Sequence, residues 1–339
     1  MPRPVAATPT VLDLDTGIDD ALALMLALRS PELDLKSVTC VAGNVTLDQV
    51  IQNTLGVLEA ARAPAIPVAA GADRPLTRRL TTATFFHGAD GIGGVSLPAT
   101  DRRVASEDAA TLLCALAEQY DGELTVIAVG PLTNVALACR RDARFPKRVK
   151  KLVVMGGAAT VAGNVTPVAE ANFHNDPEAA DLVFRAGFDV TMVGLDVTLK
   201  VLFDARRYGA VRDAVARSTD PVSLLAVQVL DFYLRADLAA GLEGSPMHDP
   251  LAVAVAADPS LVICRDLRVE IETEGRLTAG QSVANALGFV EHIESRGDHD
   301  DVVRMDQPTP NCHVALEVKT AAFLSLFSRR LGLDVTAGA

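Results

Sequence analysis

Tryptophan is absent from the 339 residues and aromatics make up only 4% of them, which excludes an indole platform for stacking a flat ligand. Positive charge is also scarce. Lysine and arginine number 31 against 43 acidic residues, a formal net charge of −12. That balance excludes a nucleic-acid binder, which needs a basic stripe against phosphates. It disfavours polyanionic substrates and suits a neutral ligand that turns cationic during reaction. The cysteines, Cys40, Cys114, Cys139, Cys264 and Cys312, are odd in number and show no CxxC spacing. This points to a reduced protein without a disulfide framework or a structural zinc. The stretch Met1 to Thr10 carries prolines and no apolar core, unlike a secretory signal, and no run approaches bilayer length. The expectation is a cytoplasmic chain with no membrane partner. There is no GxxxxGK[ST] phosphate loop, no GxSxG elbow and no GxGxxG after the first apolar run.

What is present is an ordinary globular composition, 49% hydrophobic and 22% charged. Apolar β-type runs alternate with helical segments nearly throughout. Strands are predicted at Thr10–Leu14, Leu35–Val41, Ile66–Ala69, Leu124–Val129, Leu152–Met155 and Asp189–Val193. Helices are predicted at Asp19–Leu28 and Leu47–Ala61, from a Ser106-Glu-Asp cap to Tyr120, after Gly130-Pro131, and from Asp176-Pro177-Glu178 to Gly187. Beyond residue 260 the pattern weakens to strands at Leu267–Thr273 and Val314–Val318 and a closing helix at Ala321–Leu331. The acidic stretch Gly297–Asp301 reads as a solvated loop. Repeated strand–loop–helix units imply an α/β fold, a single doubly wound, mostly parallel sheet with helices on both faces. No linker or repeat divides the chain, so one domain over 1–339 is expected, with 1–9 as a flexible arm.

The segment Val11-Leu-Asp13-Leu-Asp15-Thr-Gly-Ile-Asp19-Asp20-Ala places four carboxylates within eight residues at the first strand-to-helix junction. Two unit charges about 4 Å apart cost several kcal/mol at a protein-like dielectric. A hard divalent cation is the natural neutraliser of such a group. Single aspartates here would be helix caps, but four together point to a metal site. In an open α/β sheet, ligands bind beyond the carboxyl ends of the strands. Asn44, Gly130–Asn134 and Gly163–Asn172 also fall at such ends. Glu170 and Asn172, two apart, share a side of an extended segment and with Asn164 offer donors and acceptors for sugar hydroxyls; Asp176 is left as a helix cap. In Ser245-Pro-Met-His248-Asp249-Pro250, Asp249 is a default N-cap for a helix over Leu251–Ala257, which leaves its other oxygen available to a metal. His248 beside it is a candidate proton donor. His87 lies in a glycine-rich loop and is a weaker candidate. His174, His292, His299 and His313 lack supporting neighbours and are taken as structural or surface.

Together these residues resemble the inosine–uridine-preferring nucleoside hydrolase family. The likeness rests on Asp13-Leu-Asp15-Thr-Gly-Ile-Asp19-Asp20-Ala, Val41-Ala-Gly-Asn44, Gly130-Pro-Leu-Thr-Asn134 and Met155-Gly-Gly157. It continues through Gly163-Asn164 to Asp176-Pro-Glu-Ala and His248-Asp249-Pro250, in the family's order over residues 10 to 258. The resemblance implies hydrolysis of the N-glycosidic bond of a small-molecule ribonucleoside to ribose and free base. It implies a calcium ion (Ca2+) held by Asp15, Asp20, Asp249 and the Val129 carbonyl, with Asp15 taking a proton from a calcium-bound water and Asp13 ordering the motif from behind. Asp19 and Asn44 would hold the 2′ side of the ribose. Asn164, Glu170 and Asn172 would hold the 5′ and 3′ hydroxyls, Met155 would line the sugar pocket, and His248 and His87 would face the base. The family likeness also suggests a homodimer or homotetramer.

Two departures stand out. Thr16 replaces the usual proline, and Ala171 occupies a position where many relatives carry an aromatic. With no tryptophan, Phe85, Phe86, Phe173, Phe232 and Tyr233 are the aromatic candidates to contact a base, so base preference stays open between a non-purine-specific and a pyrimidine-leaning enzyme. Two rival readings remain. One is a magnesium phosphatase of the haloacid-dehalogenase type, because Val11-Leu-Asp13-Leu-Asp15-Thr16 resembles that first motif too. The other is a non-catalytic nucleoside- or sugar-binding module on the same fold.

Overall fold

A computed structural model describes residues 7–286, 292–294, 304–306 and 309–334. The strands in chain order are β1 (Thr8–Leu14), β2 (Leu33–Cys40), β3 (Val68–Ala70), β4 (Leu124–Ala128), β5 (Val149–Met155), β6 (Val190–Val193), β7 (Leu202–Asp204), β8 (Gly244–Pro246), β9 (Val262–Leu267), β10 (Val269–Ile271), β11 (Ser282–Ala284), β12 (His292–Glu294), β13 (Arg304–Asp306) and β14 (Cys312–Val318). Eight of them form one sheet in the order β3-β2-β1-β4-β5-β6-β14-β9. All neighbours are parallel except β14 and β9, which pair antiparallel. The order reverses at β1, where β2 and β4 flank it, and this creates the crevice that an open α/β sheet offers to ligands.

The helices are α1 (Ile18–Leu28), α2 (Leu47–Ala60), α3 (Thr84–His87), α4 (Ala109–Gln119), α5 (Thr133–Arg141), α6 (Phe145–Arg148), α7 (Ala171–Asn175), α8 (Pro177–Arg185), α9 (Leu195–Thr198), α10 (Ala205–Val215), α11 (Pro221–Ala239), α12 (His248–Ala257) and α13 (Thr320–Arg330). Alternate strand residues feed two cores, as the two-residue period of a strand demands. Leu12, Leu14, Ile127, Val153 and Met155 pack with α1, α2, α11, α12 and α13 on one face. Val11, Val126, Leu152 and Val154 pack with α4, α5 and α8 on the other. With both faces covered, the strands are near-continuous hydrophobic runs. Ile18 through Ala27 of α1 are all buried, so this helix has no polar face.

The doubly wound architecture agrees with the sequence expectation, with differences at the edges. Strand β1 starts at Thr8, so Thr8 and Pro9 are not part of an arm. Helix α4 starts at Ala109, capped by the Asp108 carboxylate, the last residue of the expected Ser106-Glu-Asp cap. The apolar run expected at Leu267–Thr273 is divided between β9, which pairs with β14, and β10, which pairs with β11. Helix α12 begins at His248 with Met247 as its N-cap. Asp249 therefore lies in the first turn and is not the cap, while Pro250 still sits where a missing N–H costs nothing. The stretch Gly297–Asp301, with His299, lies outside the described residues. Among the described residues no helix is long and apolar enough to cross a membrane.

Candidate active site

The carboxyl end of β1 delivers the first two acids. Asp13 is fully buried, and its Oδ1 accepts hydrogen bonds from Thr39 Oγ1 and Asn134 Nδ2, while its Oδ2 has no partner. Asn134 is itself locked by the Cys40 carbonyl at 3.0 Å and the Ala72 N–H at 2.8 Å. Asp13 thus ties β1 to β2 and α5 from behind the site. Asp15 receives the Asn44 N–H at 2.7 Å on Oδ2, and its buried Oδ1 is unpaired. Its carboxylate is wedged between two glycines. A Cβ on Gly43 would collide with Asp15 Oδ2, and one on Gly130 would lie 2.9 Å from Oδ1. Those glycines are needed because the chain passes too close for any side chain.

Asp19 and Asp20 open α1. Asp20 folds back over its own loop, accepting from the backbone N–H of Asp15 at 3.1 Å and of Gly17 at 2.8 Å and from Asn44 Nδ2 at 3.1 Å. Asp19 is buried, with Oδ1 unpaired. Asp249 comes from α12, across the sequence. Among the described residues, Asp19, Asp20 and Asp249 each bring one carboxylate oxygen within 4.8 Å of the others. No lysine or arginine among the described residues lies within ion-pair distance of them. Burial, reinforced by Asp20, pushes Asp19 up to about 8 and holds Asp15 well above the usual carboxylate range. Asp249 is raised well above that range by burial and then by Asp19, Asp20 and Asp15. Asp13 is pushed up to about 7 by burial, against the bonds from Asn134 and Thr39. Unpaired buried carboxylate oxygens, a surplus of negative charge and hard oxygen donors fit a divalent cation.

Around this centre the other expected residues take defined places. Asn44, half-buried, bridges Asp15 and Asp20. Asn172 Nδ2 donates to the Val129 carbonyl at 2.7 Å and to the Met155 carbonyl at 3.2 Å, joining the ends of β4 and β5. Met155 is buried. Glu170 caps α7, its carboxylate accepting from the backbone N–H groups of Asn172, Gly157 and Phe173 at 2.9, 3.0 and 3.1 Å. Asn164 is exposed and accepts the Ala171 N–H at 3.0 Å. Asp176 caps α8 and binds Thr133 and Leu76, the structural role expected of it. His87 Nδ1 accepts the Ile18 N–H at 3.2 Å, and His248 Nδ1 lies 2.8 Å from Thr198 Oγ1. Burial pushes both imidazoles down to about 4, with His248 adding to the effect on His87. His313 pairs with Asp189 and Asp266 on the sheet, in keeping with a structural histidine.

The aromatic candidates separate. Phe173 is fully buried against Phe184 in the core and faces no ligand. Tyr233 is buried, its hydroxyl donating to the Pro246 carbonyl at 2.6 Å, and Phe86 packs edge-on to both Tyr233 and His87. Phe85 is 86% exposed on α3 beside them. Three contributors were not singled out from sequence: Asp237, Thr198 and Asp196. Asp237 is buried on α11 with Oδ2 unpaired, and its charge adds to that raising Asp19. Asp196 holds the loop after β5, accepting the Ala159 and Thr160 N–H groups at 2.7 and 2.8 Å. None lies in a signature run; the fold brings Asp237 close enough to act on Asp19 and sets Thr198 against His248, while Asp196 braces the loop after β5.

A buried carboxylate cluster suited to a cation, at the switch point of a doubly wound sheet, defines a class: an α/β protein with a metal-suited acidic site beyond the carboxyl ends of its strands. The profile described as "Inosine-uridine preferring nucleoside hydrolase" matches residues 10–325. The chain is 36% identical over 330 residues to the pyrimidine-specific ribonucleoside hydrolase RihA of Salmonella schwarzengrund (strain CVM19633), covering 96% of this chain and 98% of that one. It is 38% identical to uridine nucleosidase 1 of Arabidopsis thaliana, covering 78% of each. Among solved structures, the purine-preferring ribonucleoside hydrolase from Gardnerella vaginalis superposes with a TM-score of 0.84 at 34% identity, covering 96% of this chain and 98% of that one. The chain belongs to the inosine–uridine-preferring nucleoside hydrolase family and is a nucleoside N-ribohydrolase. This membership sets aside the phosphatase reading.

Proposed function

We propose that the chain uses calcium, held by Asp15, Asp20 and Asp249 at the acidic cluster, to hydrolyse ribonucleosides to ribose and free base, with a lean toward pyrimidines. The observation that carries this reading is the pair of buried, unpaired oxygens, Asp15 Oδ1 and Asp19 Oδ1, amid carboxylates that no positive side chain offsets. Asp15, Asp20 and Asp249, with the Val129 carbonyl, would hold the ion. The chemistry calcium supplies there when bound is a lowered pKa for water, and hence a nucleophile at neutral pH. Asp15 accepts the proton of the attacking water at Oδ1, the oxygen that makes no other bond. Asn44 keeps the other oxygen fixed. Asp19 and Asn44 hold the 2′ side of the ribose, Asn164, Glu170 and Asn172 its 5′ and 3′ hydroxyls, and Met155 lines the pocket.

Departure of the base leaves positive charge on the ribosyl ring. Carboxylate and amide oxygens around the sugar stabilise that cation more than the neutral substrate, which lowers the barrier. His248 and His87 serve the departing base. The lean toward pyrimidines rests on the absence of tryptophan and on the specificity named for the RihA relative. The test is release of ribose from uridine, inosine and p-nitrophenyl riboside, with calcium and with a chelator. Turnover that stops on chelation and returns with calcium supports the proposal. Binding without turnover supports a non-catalytic module instead, and turnover indifferent to chelation overturns the role of the ion.

A further inference from the structure

The hydroxyl of Thr198 has an unusual partner for a buried helical hydroxyl. Such groups ordinarily bond the carbonyl one turn earlier in their own helix, as Thr54 does to Val50 at 2.8 Å. Thr198 is fully buried, yet among the described residues its hydroxyl meets only His248 Nδ1, at 2.8 Å. Buried hydroxyls place their one proton on an acceptor, and among the described residues Nδ1 is the acceptor this hydroxyl meets. Nδ1 therefore accepts, and the ring proton of the neutral imidazole is on Nε2.

The backbone that carries Thr198 is tied on both sides. Asp196, two residues earlier on α9, is bonded to the Ala159 and Thr160 N–H groups, and the Val201 carbonyl accepts the Met247 N–H at 3.0 Å, next to His248. His87 is arranged in parallel: its Nδ1 accepts the Ile18 N–H, which leaves its proton on Nε2 as well. Neither Nε2 has a partner among the described residues.

We infer that Thr198 is a positioning residue that fixes the tautomer and ring angle of His248, so that its Nε2–H is presented to the departing base. This rests on the proposed nucleoside hydrolysis. The donated hydrogen bond strengthens as the base nitrogen gains negative charge while the glycosidic bond breaks. Without the Thr198 hydroxyl, His248 is free to place its proton on Nδ1 and offer the base a lone pair instead.

Three proteins test this: wild type, Thr198→Val, which keeps the shape and removes the hydroxyl, and Thr198→Ser, which restores it. With calcium present, Thr198→Val is expected to lower kcat on uridine by about 10- to 100-fold, less than the roughly 10²- to 10⁴-fold of a proton-transferring group itself, because His248 remains and only its tautomer is freed, with KM nearly unchanged. Its kcat on p-nitrophenyl riboside, whose leaving group needs no donor, should stay close to wild type, and Thr198→Ser should recover uridine turnover. Nitrogen-15 spectra of histidine-labelled full-length protein read the tautomer directly: Nδ1 acceptor-like in wild type and Thr198→Ser, protonated in part in Thr198→Val. Equal losses on both substrates, or an unchanged His248 tautomer in Thr198→Val, would overturn the inference. Because the spectra need no turnover, an inactive wild type would count against the proposed hydrolysis and leave the tautomer assignment to be decided by the nitrogen shifts.

Discussion

With calcium at the acidic cluster as proposed, its removal should make this protein lose stability as pH rises, against the usual behaviour of carboxylates. Ordinary paired carboxylates have lowered pKa values and stabilise a fold above pH 4. Here burial and mutual repulsion act the other way, raising Asp19 from 3.8 to about 8 and Asp13 to about 7. Between these limits the folded chain holds protons that the unfolded chain has released. Stability is therefore greatest at low pH with respect to these groups and falls as pH climbs toward 8. A shift of that size on Asp19 alone corresponds to roughly 5 kcal/mol. The same order follows from Coulomb repulsion of about 3–4 kcal/mol for each pair of charges near 4.8 Å at an effective dielectric of 20. About 2 kcal/mol of this lies above pH 6.5, where Asp19 completes its titration, which for a domain of this length is a fall in Tm of a few degrees. His87 and His248, lowered to about 4, act in the opposite sense only below their unfolded value near 6.5. The comparison is therefore cleanest above that point. The assay is a melting temperature series from about pH 6.5 to pH 9 with chelator and with saturating calcium. The chelated protein should melt lower at each step, the loaded protein should not, and calcium binding should release protons. Parallel Tm–pH curves with and without calcium would refute the reasoning.

Other perturbations have equally direct readouts. Gly43→Ala drives a methyl group into Asp15 Oδ2, with Pro131 Cδ 2.9 Å away on the other side. It should cost about 1–3 kcal/mol of stability, and kcat/KM on uridine should fall on the order of 100-fold through misplacement of one carboxylate. Asp15→Asn keeps the shape and removes the proton acceptor, so kcat should drop about 10²- to 10⁴-fold. The chelated variant should melt above chelated wild type, because one repelling charge has gone. Asp196→Ala strips acceptors from the Ala159 and Thr160 N–H groups and the Thr160 hydroxyl. A loss of roughly 2–4 kcal/mol is expected, visible in thermal melts, with kcat on uridine falling as the anchor of Thr198 is loosened.

The parallel body of the fold was legible because both faces of the sheet are covered. Burial on two sides turns β1, β4 and β5 into plain apolar runs, and glycine or an acid marks where each ends. The C-terminal third was harder to read. Strand β14 pairs parallel with β6 and antiparallel with β9, a topology that leaves no signature in a single strand's pattern. The cap of α12 was misplaced for a local reason: an Asp-Pro pair reads as N-cap and first residue, whereas the chain turns helical one residue before the aspartate. Phe173, an aromatic beside the Glu170 motif, is absorbed by the second core.

The residue types of the site, with their order and spacing, follow from the chain alone. Four acids at one strand-to-helix junction demand a counter-charge whatever surrounds them, and Asn44, Glu170 and Asn172 stand at strand ends because an α/β sheet places its loops there. The order of the sheet, by contrast, decided that Asp249 on α12 meets Asp19 and Asp20 within 4.8 Å. It also decided that Gly43 and Gly130 pinch Asp15 from opposite sides, and that Thr198 rather than a backbone carbonyl faces His248. Those contacts join residues far apart in the chain. Their energies depend on separations of a few ångströms in a dry interior, which no local pattern encodes.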